Sequence, residues 1–167
     1  MSEADPTPVS ELHPNVVRVI AAARELGLEI QPRRYAEGAK TAADAAAAIG
    51  VEVGQIVKSL IFGVDGEIVL AYVSGANQLD ESKLAAAAGG TRCARVDADA
   101  VRAATGYPIG GVPPFALSRP LQTFCDMDLL KYEEVWAAAG TWHDVFAITP
   151  ANLIRVTGAT VCDLART

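Results

Sequence analysis

The amino-acid sequence predicts a single domain of the mixed α/β (α+β) class, and three observations support this prediction. The chain has 167 residues, enough to bury one hydrophobic core and within the range of one domain. Hydrophobic residues make up 51% and charged residues 20%, a balance typical of globular rather than disordered chains. Helical and strand-like segments alternate irregularly around one tight hairpin, which favours a mixed, mostly antiparallel sheet or a partial barrel surrounded by helices.

No internal repeat or low-complexity linker divides the chain. Residues 1–10 are expected to be a flexible N-terminus, and residues 11–167 to form the domain. The N-terminus lacks the basic start and apolar stretch of a signal peptide, and no apolar run reaches the roughly 18–20 residues of a membrane span. We therefore expect a cytoplasmic protein without a membrane partner.

The first half of the chain predicts helices and strands in the following order. Apolar residues between positions 16 and 28 recur near helical spacing, and Gly27 is placed to end that helix. Residues 30–35 are a candidate strand, and Thr41 suits the N-cap of an alanine-rich helix that runs to residue 49. The strands 57–64 and 68–73 flank a hairpin turn at Gly66, and Asp80 can cap a helix through residue 88.

The second half contains a helix, a loop and several strands. Asp97 or Asp99 can cap a short helix that ends at Thr105, with Gly106 as its terminator. The pair Thr149-Pro150 is a good start for a helix, because proline is tolerated at the first helical position. The remaining predicted elements are strands at residues 121–127, 145–148 and 160–164 and a helix or strand at residues 132–139.

The formal net charge of −6 opposes broad binding to a nucleic-acid backbone, which usually requires a basic protein or a basic stripe. Basic residues cluster only briefly, near the start of the chain and again at Arg92 and Arg95. DNA is therefore not an expected partner. If the partner is tRNA, contact should be confined to a small end of the molecule.

Three widely spaced cysteines, Cys93, Cys125 and Cys162, argue against a disulfide framework and against a thiolate zinc site. We expect buried free thiols and no metal. A catalytic pair of a cysteine with His13 or His143 is conceivable, but no local pattern supports it.

Lys58 is the first candidate for chemistry. It stands in the apolar stretch 55–62 and shares a face with Ile56, Leu60 and Phe62 by period-two counting. A buried ammonium group is costly without partners. Two interpretations stay open: a lysine that protects an edge strand or extends its stem to solvent, and a lysine at the mouth of a pocket that holds a phosphate or a developing negative charge.

The second candidate is the loop of residues 106–114, with the sequence GYPIGGVPP. Its glycines allow a ligand to approach the backbone, and its prolines stiffen the loop and pre-orient the remaining N–H groups. A plain long turn is the alternative. The spacing matches neither the GxGxxG of a dinucleotide site nor a P-loop.

Together the two features resemble the YbaK/ProX family of aminoacyl-tRNA editing deacylases, which is related to the editing insertion of bacterial prolyl-tRNA synthetase. Gly106-x3-Gly110-x3-Pro114 is similar to the family's GxxxGxxxP signature, and Lys58, preceded by Gln55-Ile56-Val57, looks like its essential lysine. The likeness runs from about residue 35 to residue 164. It implies a YbaK/ProX-like fold.

The resemblance also implies roles for particular residues. Lys58, Gly110 and Gly111 match the catalytic lysine and the backbone donors of the loop. Residues expected to bind the substrate are Tyr35, Ser59, Gly106, Pro114 and Asp126. A turn or cap residue is the alternative for Asp126.

Three positions depart from the family pattern. Pro113 and Ala116 stand where many relatives have Ser and Gly, so a role for that hydroxyl is in doubt. His143 is not general to the family; it could line the amino-acid pocket and favour a hydroxyl-bearing substrate, or be a satisfied surface or core histidine.

The implied activity is hydrolysis, without metal or cofactor, of the ester between tRNA and a small wrong amino acid (alanine, serine, threonine or cysteine). The implied partners are the acceptor end of aminoacyl-tRNA and, as a second candidate, a synthetase. Two alternatives remain: a non-catalytic module that binds aminoacyl or nucleotide ligands on the same fold, and a hydrolase of other small aminoacyl esters.

Overall fold

A five-stranded sheet forms the centre of the fold in the computed structural model, which describes residues 12–35 and 41–167. The α-helices of these residues are α1 (Pro14–Glu25), α2 (Ala42–Ile49), α3 (Glu81–Ala87), α4 (Ala98–Thr105) and α5 (Pro150–Thr157). The strands are β1 (Arg33–Arg34), β2 (Val57–Val64), β3 (Glu67–Ser74), β4 (Cys93–Arg95), β5 (Gln122–Asp126), β6 (Val135–Ala138), β7 (Asp144–Ile148) and β8 (Thr160–Cys162). Within the described ranges, no helix is long and apolar enough to cross a membrane.

The strands form two sheets. The larger has the order β4-β2-β3-β5-β8, and the smaller has the order β1-β7-β6. The pairs β3–β5 and β5–β8 are parallel, whereas the other pairs are antiparallel. A single bridge between Ile56 and Trp136 connects the sheets, and they do not close into a barrel within the part of the chain described. The predicted mixed, mostly antiparallel architecture is confirmed.

The hairpin between β2 and β3 follows from its two turn residues. Val64 pairs with Glu67, so Asp65 and Gly66 alone make the connection. Both have positive φ, 50° and 87°, as a type I′ turn requires, and Asp-Gly is among the commonest pairs for that turn. This turn sets the register that carries Lys58 to a position opposite Val73.

Hydrophobic residues cover both faces of the large sheet. One face carries a cluster that includes Val57, Ile61, Leu70 and Tyr72, and the other carries a cluster that includes Phe62. Leu60 and Phe62, which period-two counting places on one face of β2, both pack in the second cluster. Helix α3 covers the second face through Leu84 and Ala85.

Side-chain caps start the helices where the sequence predicts them. Thr41, Asp80, Asp97 and Thr149 each accept a hydrogen bond from a backbone N–H in the first turn of α2, α3, α4 and α5. Asp97, rather than Asp99, is the cap of α4.

Several boundaries differ from the prediction. The strand expected at residues 30–35 is only Arg33–Arg34, because its ladder with β7 has two residue pairs. Strand β4 was not predicted; it has three residues and forms through pairing with the distant β2, which local sequence does not encode. The predicted flexible segment 1–10 lies outside the described residues.

Candidate active site

An interruption at the outer edge of β2 forms a cleft. β2 pairs with β3 along its whole length, whereas its other edge pairs with β4 only at residues 62–64 and bridges β6 only at Ile56. The outer edge of residues 58–61 therefore has no partner strand among the described residues. A cleft of about 530 Å³ lies against this open edge.

The cleft is positively charged in a chain that is negative overall. Its ionisable lining residues are Lys58, Arg95, Arg166 and the single carboxylate Glu81. Three cations therefore face one anion, although the whole chain has a net charge of −6. Such a concentration of one sign attracts an anionic ligand to this place on the surface.

Lys58 is half-buried on β2 and lines the cleft. Its Nζ donates a hydrogen bond to the main-chain carbonyl of Asn77. Burial lowers the pKa of Lys58 from the ordinary value of a lysine, because removal from water disfavours the charged form. No described carboxylate lies within salt-bridge distance of Nζ, so the charge is available to a ligand.

Asp126 supports this arrangement from behind the cleft and does not line it. Its side chain is fully buried and accepts hydrogen bonds from the N–H of Leu164 at 2.7 Å and of Asp128 at 3.3 Å. The amide of Asn77 donates to Asp128 at 2.7 Å and approaches Asp126 at 3.5 Å. Asp126 thus caps the turn at Asp128 and helps to hold Asn77, whose carbonyl accepts the hydrogen bond from Lys58.

The C-terminal segment forms one wall of the cleft. The N–H of Arg166 donates to the carbonyl of Gln78 at 2.9 Å, which places the arginine side chain at the cleft. Its guanidinium group donates to the carbonyl of Leu79 and to the side chain of Gln78, both of which are neutral. The side chain of Arg95 has no hydrogen bond or ion pair with any described residue, so both guanidinium charges lack an anionic partner in this part of the chain.

The glycine-rich loop reaches the cleft at Gly110. The N–H of Gly111 donates to the carbonyl of Pro108 at 2.9 Å, and Gly110 has φ of +81°, as the third residue of a type II turn requires. The N–H of Gly111 is therefore hydrogen-bonded within the turn and is not available to a ligand. Gly110 lines the cleft, and its N–H has no acceptor among the described residues.

The other residues of the signature shape the loop. Gly106 ends α4 in the left-handed conformation with φ of +87°, and its N–H donates to Arg102. A Cβ atom on Gly111 would lie 2.9 Å from Cα of Thr141, so this glycine permits close packing against the loop before β7. Pro114 is buried and lines a separate concavity on the other side of the loop.

Tyr35 and His143 contact Trp142, next to the glycine-rich loop, and do not line the cleft. The Tyr35 hydroxyl donates to the carbonyl of Trp142, and the His143 ring stacks on Trp142 at a centroid distance of 5.7 Å. Trp142 in turn lies beside Gly110, where an added Cβ would be 3.6 Å from its own Cβ. His143 thus packs against Trp142 and lies outside the residues that line the cleft.

Ser59 joins Lys58 and Gly110 at the cleft. Its hydroxyl oxygen is buried and has no hydrogen-bond partner among the described residues. Of the nine residues singled out from the sequence, the structure brings these three together.

The cysteines are free thiols, and their environment disfavours a nucleophile. Burial and, to a smaller extent, the nearby Asp126 raise the pKa of Cys125 to about 12. Burial also raises the pKa of Cys93 to about 11. The reactive form of cysteine is the thiolate, which both environments disfavour.

Ala116 occupies a backbone conformation that suits glycine, since its φ is +63°. We expect Ala116→Gly to stabilise the protein by about 0.5–1 kcal/mol, because relief of left-handed strain exceeds the added entropy of the unfolded chain. Chemical denaturation measures this change. The control Ala103→Gly, at an exposed position of helix α4, should instead destabilise by about 1 kcal/mol; equal signs for the two variants would contradict the prediction.

Comparisons with known proteins identify the class to which this cleft and fold belong. A family model for the aminoacyl-tRNA editing domain matches residues 36–156. The chain therefore belongs to the aminoacyl-tRNA editing domain family, as its resemblance to the YbaK/ProX group indicates. Its class of activity is the hydrolytic removal of a wrongly attached amino acid from tRNA.

Similar proteins agree with this class. A crystal structure described as a candidate trans-editing enzyme for prolyl-tRNA synthetase superposes with a TM-score of 0.89 at 42% identity, covering 94% of this chain and all of that one. EbsC of Enterococcus faecalis, described as a candidate Cys-tRNA(Pro)/Cys-tRNA(Cys) deacylase, is 25% identical over 131 residues, 78% of this chain and 80% of EbsC.

A third relative is a much longer protein. The proline–tRNA ligase of Maridesulfovibrio salexigens is 36% identical over 96 residues, which cover 58% of this chain and 16% of the ligase. The chain thus corresponds to one part of that enzyme.

Sequence reasoning missed several residues of the cleft. Arg166, Gln78 and Glu81 line it but belong to no recognised motif. Arg95 was noted only as a basic residue near Arg92. The one sequence feature that could have indicated Arg166 was its positive charge just after the final strand. Only the hydrogen bond from its N–H to the carbonyl of Gln78 brings that charge to the site.

Proposed function

We propose that this protein is a trans-acting deacylase that hydrolyses the ester between tRNA and a small, wrongly attached amino acid: alanine, serine, threonine or cysteine. The observation that carries this proposal is the cleft at the open edge of β2, which is lined by Lys58 and by Gly110 of the glycine-rich loop. The names of the similar trans-editing enzyme and of EbsC support the choice of an aminoacyl ester on tRNA.

The proposed chemistry is addition of water to the ester carbonyl. The carbonyl oxygen gains negative charge as the carbon becomes tetrahedral, and the Gly110 N–H donates to it. The bond between the carbonyl carbon and the ribose oxygen then breaks, leaving a free amino acid and a ribose hydroxyl. Each such donor contributes on the order of 10²–10³ in rate where it has been tested in other enzymes.

Lys58 is proposed to hold the anionic part of the substrate next to the ester. Its half-buried position fixes the ammonium group, and the carbonyl of Asn77 orients it. A point charge on a flexible stem suits a terminal phosphate or the developing oxyanion. Arg95 and Arg166 extend the same positive surface along the cleft.

The charge distribution favours recognition of a short end of tRNA rather than its whole length. Three cations lie in the cleft, whereas the chain as a whole carries a charge of −6. Neutralisation of few phosphates gives weak salt dependence, with a slope of about −0.7 per phosphate for a single strand. We therefore expect the unpaired acceptor end to be the part of the tRNA that binds.

The small size of the amino acid follows from the purpose of editing. A synthetase pocket gains only about 1–3 kcal/mol from one methylene group, so smaller amino acids are attached by mistake. A serine or threonine preference would rest on His143, which does not line the cleft. We therefore propose no order among the four amino acids.

The proposal is tested with tRNA charged separately with alanine, serine, threonine, cysteine and proline. We expect the protein to release one or two of the small amino acids and to spare proline. If all five charged tRNAs survive micromolar protein, the deacylase proposal fails and a binding module is favoured. If free aminoacyl esters are hydrolysed as fast as charged tRNA, the tRNA itself is not the recognised partner.

A further inference from the structure

The glycine-rich loop is flanked by a tryptophan whose side chain is largely exposed to solvent. Trp142 is 54% exposed, the highest fraction among the large hydrophobic side chains in the described part of the chain. It lies directly beside the loop, since a Cβ atom on Gly110 would be 3.6 Å from the Cβ of Trp142. Ile109, the neighbour of the same glycine, lines the cleft and is 53% exposed. Trp142 and Ile109 together form an apolar rim next to Gly110.

Trp142 is held in a fixed position although it is exposed. The ring of His143 stacks on the Trp142 ring with a centroid distance of 5.7 Å and an angle of 23° between the planes. The hydroxyl of Tyr35 donates to the carbonyl of Trp142, and the N–H of Tyr35 donates to the carbonyl of His143 at 3.0 Å. The N–H of His143 donates to the hydroxyl of Thr141 at 3.2 Å. Because His143 covers one face of the indole, the exposed part of the ring includes the opposite face.

An ordered aromatic ring with one open face is suited to stack on a planar ligand. Single exposed apolar side chains are common on protein surfaces and by themselves indicate no partner. Trp142 differs from them because a second ring supports it and because hydrogen bonds hold the backbone on both sides of its side chain. A ligand that stacks on it therefore pays little for ordering the protein.

The size of the apolar rim favours a nucleobase over a protein as the partner. A stable protein interface buries about 1,200–2,000 Å² in total and depends on a cluster of anchoring side chains. The apolar rim has two large side chains among the described residues, which is small for a protein interface but sufficient for one base. A base of any identity stacks on an aromatic side chain, because every base has a π-face.

The position of the apolar rim indicates which base reaches it. In the proposed reaction, the ester on the terminal ribose of the tRNA lies at Gly110. The same ribose is joined through its 5′ phosphate to the preceding unpaired nucleotide. A surface in contact with Gly110 is therefore about one nucleotide away from the ester. Three cations, Lys58, Arg95 and Arg166, line the adjoining cleft and are available to the connecting phosphates.

We propose that Trp142 stacks on the base of the unpaired nucleotide that precedes the terminal nucleotide of the tRNA. The base then forms the third ring of a stack with Trp142 and His143. This inference rests on the proposed function and extends the substrate contact beyond the cleft. In this arrangement His143 is a positioning residue, because it fixes the indole and does not itself line the cleft.

The first test compares two uncharged acceptor-stem minihelices, one intact and one with an abasic site just before the terminal nucleotide. The abasic RNA retains every phosphate and the terminal nucleoside and lacks only the stacking base. We expect the full chain to bind the abasic RNA about tenfold more weakly, within the range for loss of one stacked base. Trp142→Ala should bind the two RNAs equally. The same abasic penalty in the wild type and in Trp142→Ala overturns the proposal, because the base then contacts another part of the protein.

Three further variants separate aromatic stacking from general apolar contact. Trp142→Phe retains an aromatic face and should keep most of the affinity for the intact RNA. Trp142→Leu retains an apolar side chain without that face and should lose as much affinity as Trp142→Ala. Leu130→Ala is the matched control and should bind as the wild type does, because Leu130 is an exposed apolar residue that does not line the cleft. Full affinity in Trp142→Leu overturns the proposal.

The second test observes the indole directly and needs no turnover. The chain has two tryptophans, and Trp136 is only 6% exposed, so the fluorescence difference between the wild type and Trp142→Phe reports on Trp142. A stacked base quenches the emission of an indole. We expect the intact RNA to quench the emission of Trp142 and the abasic RNA to leave it unchanged. Binding of the intact RNA without this quenching overturns the proposal.

A protein partner at the apolar rim gives a different result. If Trp142→Ala binds the intact RNA as the wild type does but loses affinity for a prolyl-tRNA synthetase, the rim is a protein contact and the proposal is overturned. A change of oligomeric state in Trp142→Ala, with unchanged RNA binding, overturns it in the same way.

Deacylation of the charged minihelices separates failure of this inference from failure of the proposed function. If intact and abasic RNAs are deacylated with the same KM, the hydrolytic function stands and the stacking contact fails. If neither RNA is deacylated but the intact RNA alone quenches Trp142, the stacking contact stands and the hydrolytic function fails.

Discussion

Replacing Lys58 with alanine is expected to lower kcat/KM for deacylation by about 10²–10³-fold, the range for loss of one preorganised electrostatic contact. The ammonium group faces the cleft and has no carboxylate partner among the described residues, so its charge is directed at the ligand. The measurement is single-turnover hydrolysis of charged tRNA by the variant and the wild type, at matched protein concentrations.

Two further variants separate charge from packing. Lys58→Met retains the apolar stem without the charge and should lose as much activity as Lys58→Ala. Lys131→Ala is the matched control, because Lys131 is an exposed lysine paired with Asp128 and lies outside the cleft. Full activity in Lys58→Met would show that the charge has no part in the reaction.

The pH dependence follows from the lowered pKa of Lys58. The ammonium form binds the anionic substrate, so activity should fall as pH rises through this lowered pKa, below the range in which an exposed lysine titrates. Stability should change in the opposite direction. Because the unfolded chain holds the proton more tightly, the contribution of Lys58 to stability increases as pH rises from the folded pKa to the unfolded pKa.

Asp126→Ala is expected to lower the free energy of unfolding by about 3 kcal/mol. The carboxylate is fully buried and accepts from the N–H groups of Leu164 and Asp128, and both donors would be left without partners. Urea denaturation measures the loss. The control Asp163→Ala removes a half-exposed carboxylate next to Leu164 and should cost at most about 1 kcal/mol.

Measuring both the stability and the deacylase activity of Asp126→Ala distinguishes a structural role of Asp126 from substrate binding. If the role of Asp126 is structural, stability and activity should be lost together. Asp126 holds Leu164 and Asn77, and these residues in turn position Arg166 and Lys58. Asp126→Asn retains the shape of the side chain and should recover part of the stability. A variant as stable as the wild type but inactive would instead place Asp126 in contact with the substrate.

Local sequence determined the elements of this protein whose hydrogen bonds close within a few residues. The Asp65-Gly66 hairpin and the caps Thr41, Asp80 and Thr149 were predicted because each uses neighbouring backbone groups. The period-two pattern of β2 also placed Leu60 and Phe62 on one face correctly. The family resemblance, carried by the loop and by Lys58, is confirmed by the match over residues 36–156.

Only the tertiary structure decided which of those residues share a cleft. Residues 164–166 form hydrogen bonds with residues 78–80, which lie more than 80 positions earlier in the sequence. These bonds bring Arg166 to the cleft that Lys58 lines. Packing also turns Asp126 inward and places His143 behind Trp142. The open edge of β2 arises because β4 and β6 stop short of each other. None of these relations has a local hydrogen-bonding pattern, so each depends on chain segments that meet only when the core forms.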